Sequence, residues 1–241
     1  MQSKLKLLNK VKLIKIKTAY NNSNRCPQFE KRMRKITFIL ILLMTINSCQ
    51  SQTKRADAKR IVGGPCEGCE AIYEYGAQKL SPIDTLPDFR ETEPKLKLTG
   101  TVFENDGKTP ADNVVLYIYH TDRKGIYATR GKEKGWAKRH GYIRGWIQTD
   151  KSGESTFYTF RPASYPNGIE PEHIHITVKE SNKNEYYIDE FVFDDDPMLT
   201  QKKRDELGNR GGSGIVKPIL ENDIFTAKRN IILGLNIPNY E

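Results

Sequence analysis

The sequence predicts an all-β fold, an antiparallel β-sandwich with long connecting loops and little helix. Three observations carry that expectation. From Lys95 onward, short runs of β-branched and aromatic residues alternate with turn signals. No stretch of useful length repeats apolar residues at helical spacing. Two connections, residues 121–141 and 161–172, are too long for simple hairpin loops. A rigid sheet carrying long loops is a common support for a functional site.

The elements follow in order. Residues 50–65 are polar and end in Gly63-Gly64-Pro65, which reads as a tether. Residues 70–94 carry Pro82, Pro87 and Pro94 and read as an extended lead-in. Lys95–Phe103 alternates apolar and polar residues, and Asn105-Asp106-Gly107 is a turn. Asn113–Tyr119 is a strong β run. Tyr142–Thr149 follows, closed by the turn Asp150-Lys151-Ser152-Gly153. Ser155–Phe160, Ile174–Val178 and Tyr186–Phe193 complete the set. Six or seven short strands at this spacing suit a sandwich. Arg210-Gly211-Gly212-Ser213-Gly214 is expected to be a flexible turn. It is not a phosphate loop, since no strand precedes it and no Lys-Ser/Thr follows. The expected division is a leader over 1–48, a tether and lead-in over 49–94, and the sandwich over 95–241.

Charge separates the leader from the rest. The 241-residue chain carries a formal +9. Residues 1–60 carry +13, from 15 basic and two acidic residues, and residues 61–241 carry −4. The basic excess therefore sits in the leader, and a basic nucleic-acid-binding face on the domain is disfavoured. Residues 36–46, ITFILILLMTI, form an apolar run after Met33-Arg34-Lys35 and before Ser48-Cys49. A charged region, a short apolar core and a small residue before the cut describe an export signal. The run is too short to span a membrane. Residues 1–32 are unusual for a signal, and Met33 begins a well-proportioned one. Ile46-Asn47-Ser48-Cys49 resembles a bacterial lipobox. That resemblance implies lipidation of Cys49, and hence a periplasm-facing protein of the cell envelope anchored to the membrane at its N-terminus. A plain signal peptide and a buried apolar segment are the alternatives.

Of the other cysteines, Cys26 lies in the leader, and Cys66 and Cys69 form a C-x-x-C. No second C-x-x-C completes a zinc site, and no βαβ pattern supports a redox role. In an oxidising compartment the pair is expected to close a local disulfide.

His173-Ile174-His175 opens a strand-like run. Positions two apart share a face of a strand, so both imidazoles can reach one metal. Tyr165 lies eight residues before His173, and Tyr127 lies in the preceding long connection. A phenol titrates near 10 when free. A strongly Lewis-acidic ion is needed to deprotonate it at neutral pH. Two phenolates with two imidazoles would suit Fe(III) better than zinc or magnesium.

With these residues in place, the stretch over about 95–200 resembles the intradiol ring-cleavage dioxygenases, the catechol and protocatechuate family. The resemblance rests on Gly100-Thr101-Val102, Asp106-Gly107-Lys108-Thr109-Pro110, Val115–His120, Gly125-Ile126-Tyr127, Ile143–Asp150, Arg161–Pro166, Pro171–His175 and Phe193–Pro197, in that order. It implies a mononuclear ferric centre held by Tyr127, Tyr165, His173 and His175. Tyr165 would be the ligand displaced by an arriving catechol, taking up a proton as it leaves. The implied reaction inserts both atoms of O2 and opens the ring to a muconate-type diacid. Gly125, Trp136, Glu170 and Glu190 are candidates for the substrate pocket, with Arg130, Arg139 and His140 in the same loop as Trp136. The lead-in is too short for the helical dimerisation linker of catechol-type members, and the sequence leaves oligomerisation open.

Two positions depart from the family pattern. Glu170 stands where characterised members keep an arginine that steadies charge on the substrate ring. Glu190 stands where they keep a glutamine. Arg161 and Arg144 are the candidates to stand in for the missing cation; if neither does, ring cleavage should be slower and carboxylated catechols disfavoured. The competing reading is a non-catalytic envelope lipoprotein that binds aromatic or sugar ligands through a decayed site. All four ligands are present, which favours the enzyme.

Overall fold

The computed structural model describes residues 61–241, which fall in the compact unit Lys59–Glu241. The leader and Cys49 lie outside the described residues. Cys66 and Cys69 are joined by a disulfide. Cys69–Tyr73 forms a 3₁₀ helix, and the lead-in then supplies strand β1 (Ile83–Thr85). There follow β2 (Lys95–Phe103), β3 (Val115–Tyr119), a single turn of helix α1 (Ala137–His140), β4 (Arg144–Gln148) and β5 (Glu154–Phe160). Next come β6 (His173–Lys179), β7 (Tyr186–Tyr187), β8 (Phe191–Phe193) and helix α2 (Gln201–Glu206). The chain ends with β9 (Ile215–Val216), β10 (Ile219–Glu221), β11 (Ile224–Lys228) and β12 (Ile231–Ile232).

The strands form two sheets. One runs β1-β5-β2-β11-β10, with β12 also paired to β2. The other runs β4-β3-β6-β8-β9, with β7 also paired to β6. Alternation decides which side chains meet between them. Leu96, Leu98 and Val102 of β2 and Phe157 of β5 pack with Leu116 and Ile118 of β3, Ile147 of β4, and Ile174, Ile176 and Val178 of β6 in one core. This is an all-β sandwich, as its sequence predicts.

The same alternation turns Tyr117, Tyr119, His173 and His175 to the outer face of the second sheet. Tyr119 pairs with His175 across β3 and β6. That face is not left to water. Ala71 and Ile72 cover Tyr117 and Trp146, with Trp136 packed against them.

Several details depart from expectation. The lead-in is built into the sandwich, since β1 pairs in parallel with β5. The expected strand Tyr186–Phe193 divides into β7 and β8, and the intervening residues 188–190 belong to neither. Four short C-terminal strands complete the sheet edges. The glycine-rich stretch after Arg210 is packed rather than loose. The Gly211 N–H donates to the Leu235 carbonyl at 2.8 Å. A Cβ on Gly214 would lie 2.2 Å from the Glu190 carbonyl oxygen.

Candidate metal centre

Two histidines on β6 and two tyrosines from the long connections converge on the outer face of the second sheet. Tyr127 Oη lies 2.7 Å from His175 Nε2 and in short contact with Tyr165 Oη. Tyr165 Oη lies 3.1 Å from His173 Nε2 and 3.4 Å from His175 Nε2. The four residues picked out from sequence thus bring their donor atoms to one point.

The surroundings fix which atom each histidine presents. His173 donates from Nδ1 to the Pro171 carbonyl at 2.7 Å. His175 Nδ1 faces Glu190 Oε1 at 3.4 Å. Both rings therefore direct Nε2 at the cluster, the arrangement by which outer partners orient metal-binding imidazoles. Tyr119 lies against the His175 ring, with centroids 4.5 Å apart and planes 18° apart. His140 stacks on the other side of Tyr119 at 3.8 Å.

The tyrosines are held by loop packing. Gly125 has φ 75° and comes so close to Ser164 that a Cβ would lie 2.1 Å from its carbonyl oxygen. Only glycine allows both that conformation and that approach. The contact presses the Tyr127 loop against the Tyr165 loop. Gly125 thus acts through backbone packing. At the other end of the second loop, Asp196 Oδ2 accepts the Glu172 N–H at 2.6 Å. Arg161 binds Asp195 through two hydrogen bonds of 2.8 and 2.9 Å and also pairs with Glu172. These contacts anchor the entry to β6 just ahead of His173.

Burial pushes the Tyr127 phenol well above the usual range, and its hydrogen bond to Tyr165 pushes it the same way. Burial also raises Tyr165, against the lowering effect of its bond to Tyr127. Burial and the neighbouring His175 hold the His173 imidazole down. Both tyrosines are therefore phenols and His173 a neutral imidazole when no cation is bound. Burial alone would raise Glu190, but the bond and charge of His175 outweigh it and hold the carboxyl down at about 2. The donor set fits a hard, highly charged cation able to draw protons from phenols. Tyrosine would have to take part. Among the described residues no group of three or more His, Cys, Asp and Glu side chains is placed to hold a metal.

One side of the cluster opens into a cavity of about 340 Å³ lined by Tyr165, Glu170, His173, His175 and Glu190. Val192, Leu199 and Leu207 supply its apolar wall, and Lys203 and Glu206 lie at its edge. A smaller cavity of about 230 Å³ lies on the other side of His175, under the Cys66–Cys69 loop. Glu170 and Glu190 are thus both placed at this cavity.

Other expected residues are placed elsewhere. Trp136 stacks over His140 with centroids 5.4 Å apart and packs with the Ala71–Trp146 cluster. It supports the wall behind Tyr119 rather than lining the main cavity. Arg144 does not reach the cluster, because Glu74 pairs with it at 2.5 Å and Trp146 lies under it at 4.9 Å. It faces a separate cavity together with Arg130 and Tyr142. Arg161 is held by its two acids and lies against the Phe193 ring. Neither arginine takes the place vacated at Glu170. Sequence reasoning did not single out Lys203, Tyr119 or Leu199. A signal existed only for Tyr119, which shares its face of β3 with Tyr117.

No family model matches the sequence, and no curated protein sequence does. Solved structures do. The catechol 1,2-dioxygenase of Acinetobacter sp. ADP1 superposes with a TM-score of 0.50 at 22% identity, over 65% of this chain and 58% of that one. The likeness is one of fold. The hydroxyquinol 1,2-dioxygenase of Pseudomonas putida DLL-E4 matches with a TM-score of 0.47 at 19% identity, over 81% of this chain and 74% of that one. The dioxygenase domain of a carbohydrate-binding fusion from Streptomyces sp. SirexAA-E matches with a TM-score of 0.46 at 18% identity, over 66% of this chain and 95% of that one. The chain thus spans just over half the length of the Acinetobacter enzyme.

Proposed function

We propose that this protein is an Fe(III)-dependent intradiol dioxygenase that opens the ring of a catecholic compound with O2 to a muconate-type diacid. The observation that carries the proposal is the convergence of Tyr127, Tyr165, His173 and His175 beside a cavity of ring size. The fold shared with a catechol 1,2-dioxygenase supports it.

The residues divide the work. When bound, ferric iron would supply the Lewis acidity that makes a chelated catechol reactive toward O2. His173 and His175 would hold the ion through Nε2, oriented by the Pro171 carbonyl and Glu190. Tyr127 would stay in place, since its loop is pressed against Ser164. Tyr165 is the tyrosine that lines the cavity and lies in a connection outside any strand. It would therefore be the one to yield to the substrate. Its raised phenol pKa favours taking up a catechol proton at Oη on release. Val192, Leu199 and Leu207 would lie against the ring and exclude water.

Purified protein loaded with Fe(III) should be red to burgundy from tyrosinate charge transfer, and should consume O2 with a catechol. Tyr165→Phe should change the colour and abolish the O2 uptake together. A colourless protein that retains no iron would refute the proposal. One observation favours the competing reading, a non-catalytic binder: among the described residues no arginine lines the cavity. A coloured protein that binds catechols without O2 uptake would establish that reading instead.

The proposal extends to location. The apolar run before Cys49 supports export and lipid anchorage in the bacterial cell envelope. Cys49→Ser should then release the protein from the membrane fraction.

A further inference from the structure

We infer that the cavity selects catechols carrying a cationic side chain, such as an alkylammonium group. The inference rests on the dioxygenase reading above and concerns which substrate that site takes.

The argument starts from the charges around the donor cluster. Glu170, Glu190 and Glu206 all line the cavity, against one cation, Lys203. Glu190 is engaged with His175, and the Lys203 ammonium donates to the Ile169 carbonyl, which holds it in place and leaves its charge. Glu170 and Glu206 lie at the open end, both exposed, and Lys202 pairs with Glu206 at 3.8 Å, so the three acids outweigh the two lysines by one negative charge. The arginines that might offset them are committed elsewhere. Arg161 is held by Glu172 and Asp195, and Arg144 by Glu74.

A catechol chelating at the cluster would lay its ring along the apolar wall of Val192, Leu199 and Leu207. Its ring substituents would then point toward the rim. A carboxylate there would meet two carboxylates, and an ammonium would find two acceptors. Opposite charges a few ångströms apart at a protein surface raise affinity by about fivefold or more. Like charges are disfavoured in the same proportion, so the ammonium and carboxylate forms should differ by on the order of 25-fold at low salt.

Three catechols of similar size test this: one with an ethylamine side chain, one with an ethyl group and one with an acetate group. Each is titrated anaerobically into the iron-loaded protein, and binding is read from the shift of the visible band. The ammonium compound should bind tightest and the carboxylate weakest, with the spread shrinking as salt rises. Glu170→Gln combined with Glu206→Gln should bring the three affinities within about threefold of one another. Both positions are on the surface, so the fold should survive, and the salt dependence of the unaltered protein is an independent check. Neutral or carboxylated catechol binding as tightly as the ammonium compound would overturn this inference and leave the dioxygenase reading standing. No binding by any of the three would overturn both.

Discussion

Replacing Gly125 by alanine should damage the donor cluster more than it damages the fold. Gly125 sits at φ 75°, and a Cβ there would lie 2.1 Å from the Ser164 carbonyl oxygen and 3.2 Å from Pro166 Cδ. Ordinary non-bonded contacts begin near about 3.5 Å. One of the two loops must therefore move by more than about 1 Å. Gly125 lies two residues from Tyr127, and Ser164 is next to Tyr165, so the movement separates the two phenols. The left-handed backbone alone costs a non-glycine residue about 1–2 kcal/mol. Overpacking adds about 1–3 kcal/mol. Gly131 provides the control. It lies in the same connection at φ 81°, with nothing within 4 Å of a built Cβ. Gly131→Ala should show the backbone cost alone and keep its colour with iron. Gly125→Ala should lose about 2–5 kcal/mol in chemical denaturation and at least about tenfold in iron affinity, read from the visible band. Equal stability loss and equal iron affinity in the two variants would refute the claim that this contact sets the spacing of the tyrosines.

Two further predictions concern the surroundings of the cluster. Glu190→Ala removes the partner of His175 Nδ1 and should weaken iron binding by about 10- to 100-fold. Iron affinity unchanged by dialysis against a chelator would show that Glu190 does not orient the ring. Stability should also fall in acid. His120 is buried, donating from Nδ1 to Thr121 and bonded at Nε2 to Thr159, and burial holds its imidazole down to about 4. An unfolded histidine titrates near about 6.5. The unfolded chain therefore takes up the proton first as pH drops. The stabilisation is fully present above about 6.5 and is lost toward 4, amounting to about 3 kcal/mol. His120→Gln should flatten that part of the stability–pH curve, and an unchanged slope would refute the assignment.

The parts legible from sequence were those governed by local alternation. KLKLTGTVF and HIHITVK each declare two faces, and their inward residues form the core. The donor cluster was legible because two of its members share a strand face and the motif order supplied the others. The destination of the arginines was not legible. Arg144 meets Glu74, 70 residues earlier, and Arg161 meets Asp195, 34 residues later. Nothing in either neighbourhood announces the partner. The C-terminal strands were missed for a related reason. They are two to five residues long, and β10 is exposed throughout. β11 and β12 are strands because β2 offers them an edge, pairing with both in parallel, while β10 adds to β11 and β9 to β8.

The pairing of those arginines gives the lead-in a role beyond tethering. Arg130 meets Asp88, Arg139 meets Glu67 and Arg144 meets Glu74. Three cations of the connection after Tyr127, or of the strand that follows it, thus find their acids in residues 67–88. Two of the pairs are exposed, and such pairs contribute little to stability one at a time. Their joint effect is positional. Glu74 also accepts the Trp136 N–H at 2.8 Å, which seats Trp136 on His140, His140 on Tyr119, and Tyr119 on His175. Gly68 approaches the His140 ring so closely that a Cβ would lie 2.7 Å from Nε2, and the adjoining disulfide closes that loop. The segment before β2 therefore does two things at once. It pairs Arg130, Arg139 and Arg144 with acids of its own. It also backs the stack of rings that ends on a ligand histidine.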